Sequence, residues 1–175
     1  MRDSSWREAR LSRTMSHALR HEPWLYELEL DDEGWTPVAD LLAALDVSRE
    51  QLEVVVRDNP KQRFELSGDR VRARYGHSVP GRIVRVPALP PVTLFHGTSA
   101  VTASLVLTEG LRPMRRQYVH LSVTREMAES VGRRKGTRVR VLTVDTAAAR
   151  AAGVEFLRGN EFVWLAEHVP AAFLT

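Results

Sequence analysis

The stretch Ser16 to Pro23, SHALRHEP, closes an apolar-patterned run with Arg20 beside His21 and stops at a proline. A guanidinium offers a planar fork that grips phosphate, and an imidazole exchanges a proton near neutral pH, so the pair has the makings of an anion site. The same two residues are also what the polar end of a helix looks like. Three other segments carry similar groups. VRARYGHS (71–78) spaces Arg72 and Arg74 two apart, which on a strand puts them on one face, and adds His77. FHGTS (95–99) places His96, Gly97, Thr98 and Ser99 at a strand end, where glycine lets a backbone approach a flat ligand and amide groups can pair with a carboxamide. RRQYVHLS (115–122) brings Arg115, Arg116, His120 and Ser122, with alternation turning Tyr118, His120 and Ser122 to one face. Each segment alone also has an ordinary reading: a turn, a basic-ended edge strand, or the wing of a DNA-binding hairpin.

Composition narrows the chemistry. The 175 residues, 43% hydrophobic, suffice for one mid-sized domain or two small ones. Of 25 basic residues only Lys61 and Lys135 are lysine, which fits either an arginine-rich codon bias or phosphate recognition. From Arg112 to Arg140 nine basic residues face only Glu126 and Glu129, pointing to a polyanionic partner. Absence of cysteine removes disulfides, thiolate nucleophiles and Cys-based zinc sites, and the six histidines lack metalloprotease spacing, so no metal is expected. There is no signal-peptide core and no membrane-length apolar run; a cytoplasmic protein is expected, with monomer as the default state.

The elements that must position these groups fall into two styles. Leu11, Met15, Ala18 and Leu19 make one stripe of a helix ended by Pro23. WTPVADLLAAL predicts a second helix with Thr36 as cap and Pro37 in its first turn, and SREQLEVVV a third, with Ser48 and Gln51 at capping-box spacing. RFELSGDRVRARY alternates around Ser67-Gly68-Asp69 as a hairpin. Three helices and a hairpin suggest a winged-helix unit. The proline-rich HSVPGRIVRVPALPPV reads as a connector, with the boundary near residue 88. Beyond it, VTLFHGTS, QYVHLSV, TRVRVLTV and EFVWL read as strands, interleaved with a helix ending at Gly110 and another capped by Thr124, giving an α+β lobe. No Gly-rich phosphate loop is present.

Five blocks, LSRTMSHALRHEPWLYELELDDEGWTPVADLL, VRARYGHS, FHGTS, GLRPMRRQYVHLS and FVWLAEHVP, follow one another in this order. From Leu11 to Leu174 the chain thereby resembles the RNA 2′-phosphotransferase family of the KptA type. The resemblance implies a winged-helix RNA-binding lobe (1–87) and an ADP-ribosyltransferase-like, NAD-binding α+β lobe (88–175), with a central cleft. It implies an NAD-dependent transferase of tRNA processing that removes an internal RNA 2′-phosphate. In the family the 2′-phosphate attacks the nicotinamide ribose C1″ and expels nicotinamide. The ribose O2″ then attacks phosphorus, leaving 2′-OH RNA and ADP-ribose 1″,2″-cyclic phosphate. NAD⁺ is consumed, and neither step needs a metal or thiolate.

Carried over by resemblance, Arg20, His21, Arg72 and Arg116 form the catalytic set, the three guanidiniums holding the 2′-phosphate. His96, Gly97, Thr98, Ser99, His120 and Ser122 are expected to line the NAD⁺ pocket, and Val163 to stand where many ADP-ribosyltransferases have a glutamate. RGNEFVWL departs from the pattern, Asn160 standing one place early before Glu161 and Phe162. Two other readings remain: an ADP-ribosyltransferase that stops after the first step and modifies nucleic-acid phosphate ends, and a winged-helix regulator whose second lobe senses a ligand.

Overall fold

The computed structural model describes residues 2–175, which part into two compact units, one ending at Val84 and the other spanning Arg85–Thr175. Among the described residues two antiparallel sheets and six α-helices make the class α+β. Among the described residues no helix is long and apolar enough to cross a membrane.

In the first unit α1 (Arg2–Arg20) turns Met15, Ala18 and Leu19 fully inward, with Leu11 packed at the edge of the same cluster. Pro23 opens a 3-10 turn, Pro23–Tyr26, that follows the helix end. The helices α2 (Val38–Leu45) and α3 (Arg49–Arg57) bury Val38, Leu41, Leu52 and Val55 against α1. The Ser48 capping box forms as expected: Ser48 Oγ accepts from the Gln51 N–H at 3.2 Å and Gln51 Oε1 from the Ser48 N–H at 2.8 Å.

The start of α2 differs from the expected one. Thr36 is not a cap; with Pro37 it forms a short strand β1 (Thr36–Pro37) that pairs with Val71 and Arg70. Val38 instead donates its N–H to the Asp69 carbonyl at 2.8 Å, so the hairpin turn satisfies the helix terminus and no side-chain cap is needed.

That hairpin is β2 (Phe64–Ser67) and β3 (Arg70–Ala73), with Phe64 opposite Ala73 and Leu66 opposite Val71, around a tight turn in which Gly68 has φ +57°. Phe64, Val71 and Ala73 face the core, so Arg70 and Arg72 face away from it. β3 is the central strand of the order β1-β3-β2. The connector, residues 77–92, is divided: Ser78 and Val84 donate to carbonyls of Arg20 and Asp32, whereas Ala88 donates to that of Phe156.

The second unit is a five-stranded sheet in the order β6-β4-β5-β8-β7. Its strands are β4 (Thr93–Ser99), β5 (Val119–Ser122), β6 (Val139–Asp145), β7 (Phe156–Arg158) and β8 (Val163–Ala166), all antiparallel to their neighbours. The helices are α4 (Ala100–Glu109), α5 (Arg125–Gly132), capped by Thr124, and α6 (Thr146–Ala151), capped by Asp145. Leu94, Val119, Leu121, Leu142, Val144, Phe156 and Trp164 share one core.

Helix α5 packs directly on β4. A Cβ on Gly97 would lie 1.6 Å from the Ala128 carbonyl oxygen, and one on Gly132 would lie 3.0 Å from the Thr98 nitrogen and 2.5 Å from Val139 Cγ1. Both glycines are therefore required by backbone-to-backbone approach. Gly97→Ala should force α5 off the sheet and destabilise the protein by about 1–3 kcal/mol or more; denaturant unfolding of the variant checks this, and an unchanged midpoint would contradict the packing described.

Candidate active site

The end of α1 is latched to the segment that follows β3. Ser78 donates its N–H to the Arg20 carbonyl at 2.8 Å, and its hydroxyl meets His21 Nδ1 at 2.7 Å. Arg20 is buried, an unusual place for a charge, and its guanidinium lies 4.9 Å from the Tyr75 ring centroid. Gly76, at φ +89°, runs alongside it; a Cβ there would be 3.2 Å from Arg20 Cζ. Tyr75 in turn donates its hydroxyl to the Lys61 carbonyl at 3.0 Å.

The Ser78 contact has a chemical consequence. A hydroxyl both donates and accepts, so it orients the His21 ring whether or not Nδ1 carries a proton. His17, one turn earlier, has both ring nitrogens engaged, Nδ1 with the Tyr26 hydroxyl at 2.9 Å and Nε2 with Glu22 at 2.7 Å.

Arg72, on β3, lies over the Trp35 ring at 4.3 Å. Its Nε and Nη2 both donate to Glu65 Oε2 at 2.8 Å, and its Nη1 lies 3.3 Å from Glu33 Oε2. Thus Arg20, His21 and Arg72 belong to one unit, and Arg116 to the other. Arg116 is exposed, and its N–H donates to the Pro113 carbonyl at 3.1 Å, closing the turn that leads to β5. Its charge, after burial, helps hold the Lys135 amine below its usual value.

His96, His120 and Val163 lie on β4, β5 and β8, three neighbouring strands. His96 Nδ1 lies 3.0 Å from the His120 carbonyl, and His120 Nδ1 lies 2.9 Å from that of Tyr118. A carbonyl only accepts, so each Nδ1 bears the hydrogen, and in the neutral ring Nε2 is then an acceptor. Burial pushes the His96 pKa down to about 4, with the Lys135 charge adding to the shift and the carbonyl bond opposing it. His96 is therefore neutral at pH 7.

Ser122 stands opposite both Phe95 and Val163. Thr98 is 1% exposed, and its hydroxyl makes no hydrogen bond within the described residues. Ser99 caps α4, its hydroxyl accepting from the Thr102 N–H at 3.2 Å. Gly97 is occupied on one side by α5 as described.

Asn160, nearly fully buried, shapes the turn into β8: its Oδ1 accepts from the N–H groups of Phe162 at 2.8 Å and Val163 at 2.7 Å. The departure in RGNEFVWL is thus a turn, closed by the Asn160 side chain, that leads into Val163. Ser78, Tyr75, Glu65, Glu33 and Trp35 escaped the sequence reading. Ser78 and Tyr75 stand in the VRARYGHS block and Glu33 and Trp35 in the first block, but nothing in their own types or spacing marked them; Glu65 stands in none of the five blocks.

The model of the RNA 2′-phosphotransferase, Tpt1 / KptA family matches residues 6–168. Similar proteins named "Probable RNA 2′-phosphotransferase" include one from Bacillus thuringiensis subsp. konkukian, 46% identical, covering 94% of this chain and 92% of the relative. One from Acetivibrio thermocellus is 40% identical and covers 95% of each. One from Pyrococcus furiosus is 38% identical, with 94% and 92% covered.

The His96 environment predicts a pH effect. Its folded pKa lies below the unfolded value near 6.5, so the neutral form is favoured by folding; the benefit is full above pH 6.5 and is lost as pH falls towards about 4. By linkage the loss is at most roughly 3 kcal/mol. Unfolding of wild type and His96→Asn at pH 7.5 and 4.5 should show the variant gaining relative stability at the lower pH; parallel behaviour would contradict the burial of an uncharged ring.

Proposed function

The chain belongs to the RNA 2′-phosphotransferase family, whose members are transferases, and from that premise we propose that it removes an internal 2′-phosphate from RNA in two NAD-dependent steps. The structural observation that carries this reading is the latch at the end of α1, which fixes a buried arginine and an adjacent histidine in one small region. We read the first unit, which carries Arg20, His21 and Arg72, as a winged-helix RNA-binding lobe and the second, which carries Arg116 and the residues on β4, β5 and β8, as an ADP-ribosyltransferase-like lobe.

NAD⁺, when bound, supplies an electrophilic ribose carbon with nicotinamide as leaving group. The residues proposed to hold it fit such a ligand: Thr98 has a buried hydroxyl with no hydrogen bond among the described residues, and His96 presents Nε2 as an acceptor for an amide or ribose hydroxyl. Gly97, Ser99, His120, Ser122 and Val163 complete the proposed lining.

Arg20, Arg72 and Arg116 are proposed to hold and neutralise the RNA phosphate, the dominant demand in phosphoryl transfer. In the first step a phosphate oxygen bonds to C1″ as the bond to nicotinamide breaks. In the second, O2″ bonds to phosphorus as the bond to RNA O2′ breaks. There O2″ gives up a proton and O2′ takes one up, so a single group able to do both is useful. His21 is assigned that role, and the Ser78 hydroxyl keeps its ring oriented through both protonation states.

Incubation with NAD⁺ and an oligonucleotide bearing one internal 2′-phosphate should yield nicotinamide, ADP-ribose 1″,2″-cyclic phosphate and 2′-OH RNA. Accumulation of ADP-ribosylated RNA without 2′-OH product would instead identify an enzyme that stops after the first step. His21→Ala should slow turnover by about 10²–10⁴-fold. Ser78→Ala, which removes one orienting hydrogen bond, should slow it by up to about tenfold. Single-turnover rates on folded variants are the measurement, and full activity in His21→Ala would refute the assignment.

A further inference from the structure

A guanidinium intended for phosphate should not have its charge cancelled by the protein, yet Arg72 touches two carboxylates. The two contacts are unlike. Glu65 is directly opposite Arg72 in the β2–β3 register, so the pairing is built into the hairpin. One Glu65 oxygen takes both Nε and Nη2 at 2.8 Å, and the two side chains are only 28% and 19% exposed. Glu33 approaches from the segment before β1; its carboxylate, 62% exposed, reaches only Nη1 at 3.3 Å, and its backbone carbonyl accepts from the same nitrogen at 3.4 Å, leaving the carboxylate as the part of this contact that can exchange. The Trp35 ring at 4.3 Å supports the guanidinium plane.

We propose that Glu65 is a positioning residue for the phosphate site, fixing the Nε–Nη2 edge of Arg72 so that Nη1 is the prong offered to the RNA 2′-phosphate, and that the Glu33 carboxylate is the place-holding anion this phosphate displaces. The inference rests on the reading that Arg72 meets that phosphate. Glu65 has the short, forked contact, shielded from solvent and set directly opposite Arg72 by the hairpin register, that survives an incoming dianion. Glu33 has the long, solvent-facing contact that exchanges without loss of any core packing. Like charge between Glu33 and the arriving phosphate makes the two mutually exclusive on Nη1.

The proposal separates from simple electrostatics by sign. Glu33→Gln and Glu65→Gln each remove one negative charge, so a general attraction for RNA would tighten binding in both. Positioning requires opposite effects. Equilibrium titration with a 2′-phosphorylated oligonucleotide, without NAD⁺, should show Glu33→Gln binding about three- to tenfold tighter and Glu65→Gln about tenfold weaker. The same oligonucleotide with a 2′-OH should show neither change beyond about twofold. Thermal unfolding verifies that each variant is folded, and the isosteric Gln variants keep the test available if Glu65→Ala does not fold. Tighter binding by Glu65→Gln, or weaker binding by Glu33→Gln, overturns the proposal. Arg72→Ala tests the underlying reading separately: undiminished preference for the 2′-phosphate in that variant means Arg72 does not meet it, whereas lost preference together with tightening in Glu65→Gln leaves Arg72 in place and removes only the positioning role.

Discussion

A charged guanidinium taken out of water must be surrounded on every side, and the first unit is arranged around this constraint at Arg20. The aromatic face of Tyr75 lies on one side and the backbone of Gly76 runs along another, close enough that any side chain at residue 76 would intrude. Ser78 completes the wrap by bonding to the Arg20 carbonyl. The segment that makes these contacts leaves β3 directly, so the same strand that carries Arg72 leads into the wrap around Arg20. Register in the hairpin, set by Phe64, Val71 and Ala73 facing the core, therefore governs both arginines at once. A slip of one residue would turn Arg72 into the core and Val71 out of it.

The histidines divide by what holds Nδ1. His96 and His120 rest on backbone carbonyls, which accept only, so Nδ1 carries the hydrogen and Nε2 of the neutral ring is the acceptor. His21 rests on a hydroxyl, which serves either protonation state. A binding group benefits from the first arrangement, because a ligand then meets one fixed polarity. A proton-transferring group benefits from the second, because the ring keeps its orientation while its charge changes. The division falls along the proposed roles, NAD⁺ binding for the first two and acid–base chemistry for the third.

Local rules made much of the architecture legible. Ser48 with Gln51, Thr124, Gly110, and the alternation around Gly68 each act within a few residues, and each forms as expected. The misses share a cause. Thr36-Pro37 has the chemistry of a helix start, but long-range pairing with Val71 and Arg70 makes it a strand, and Asp69, more than 30 residues away in sequence, satisfies the helix terminus. Helix α6 and strand β7 are too short for a periodic pattern to emerge. Ser78 lies 57 residues from His21, and Glu65 reaches Arg72 only because the hairpin folds. Single residues can announce a phosphate-binding type; the groups that hold them in place are visible only after tertiary pairing.

Gly97 shows why a residue can answer to two demands. As a backbone position on β4 it suits close approach by a flat ligand, which is how its sequence context reads. The fold imposes a separate and stronger requirement, since the Ala128 carbonyl occupies the space of any Cβ and Gly132 is constrained from the helix side of the same contact. The docking of α5 thereby bears on His96, which lies next to Gly97 on β4 and whose pKa feels the Lys135 charge just beyond the end of α5. Loss of the glycine would disturb that neighbourhood through the scaffold before any ligand contact was considered. Only a measurement that reads folding and binding separately can assign such a residue a role in the site, because activity alone would fall under either demand.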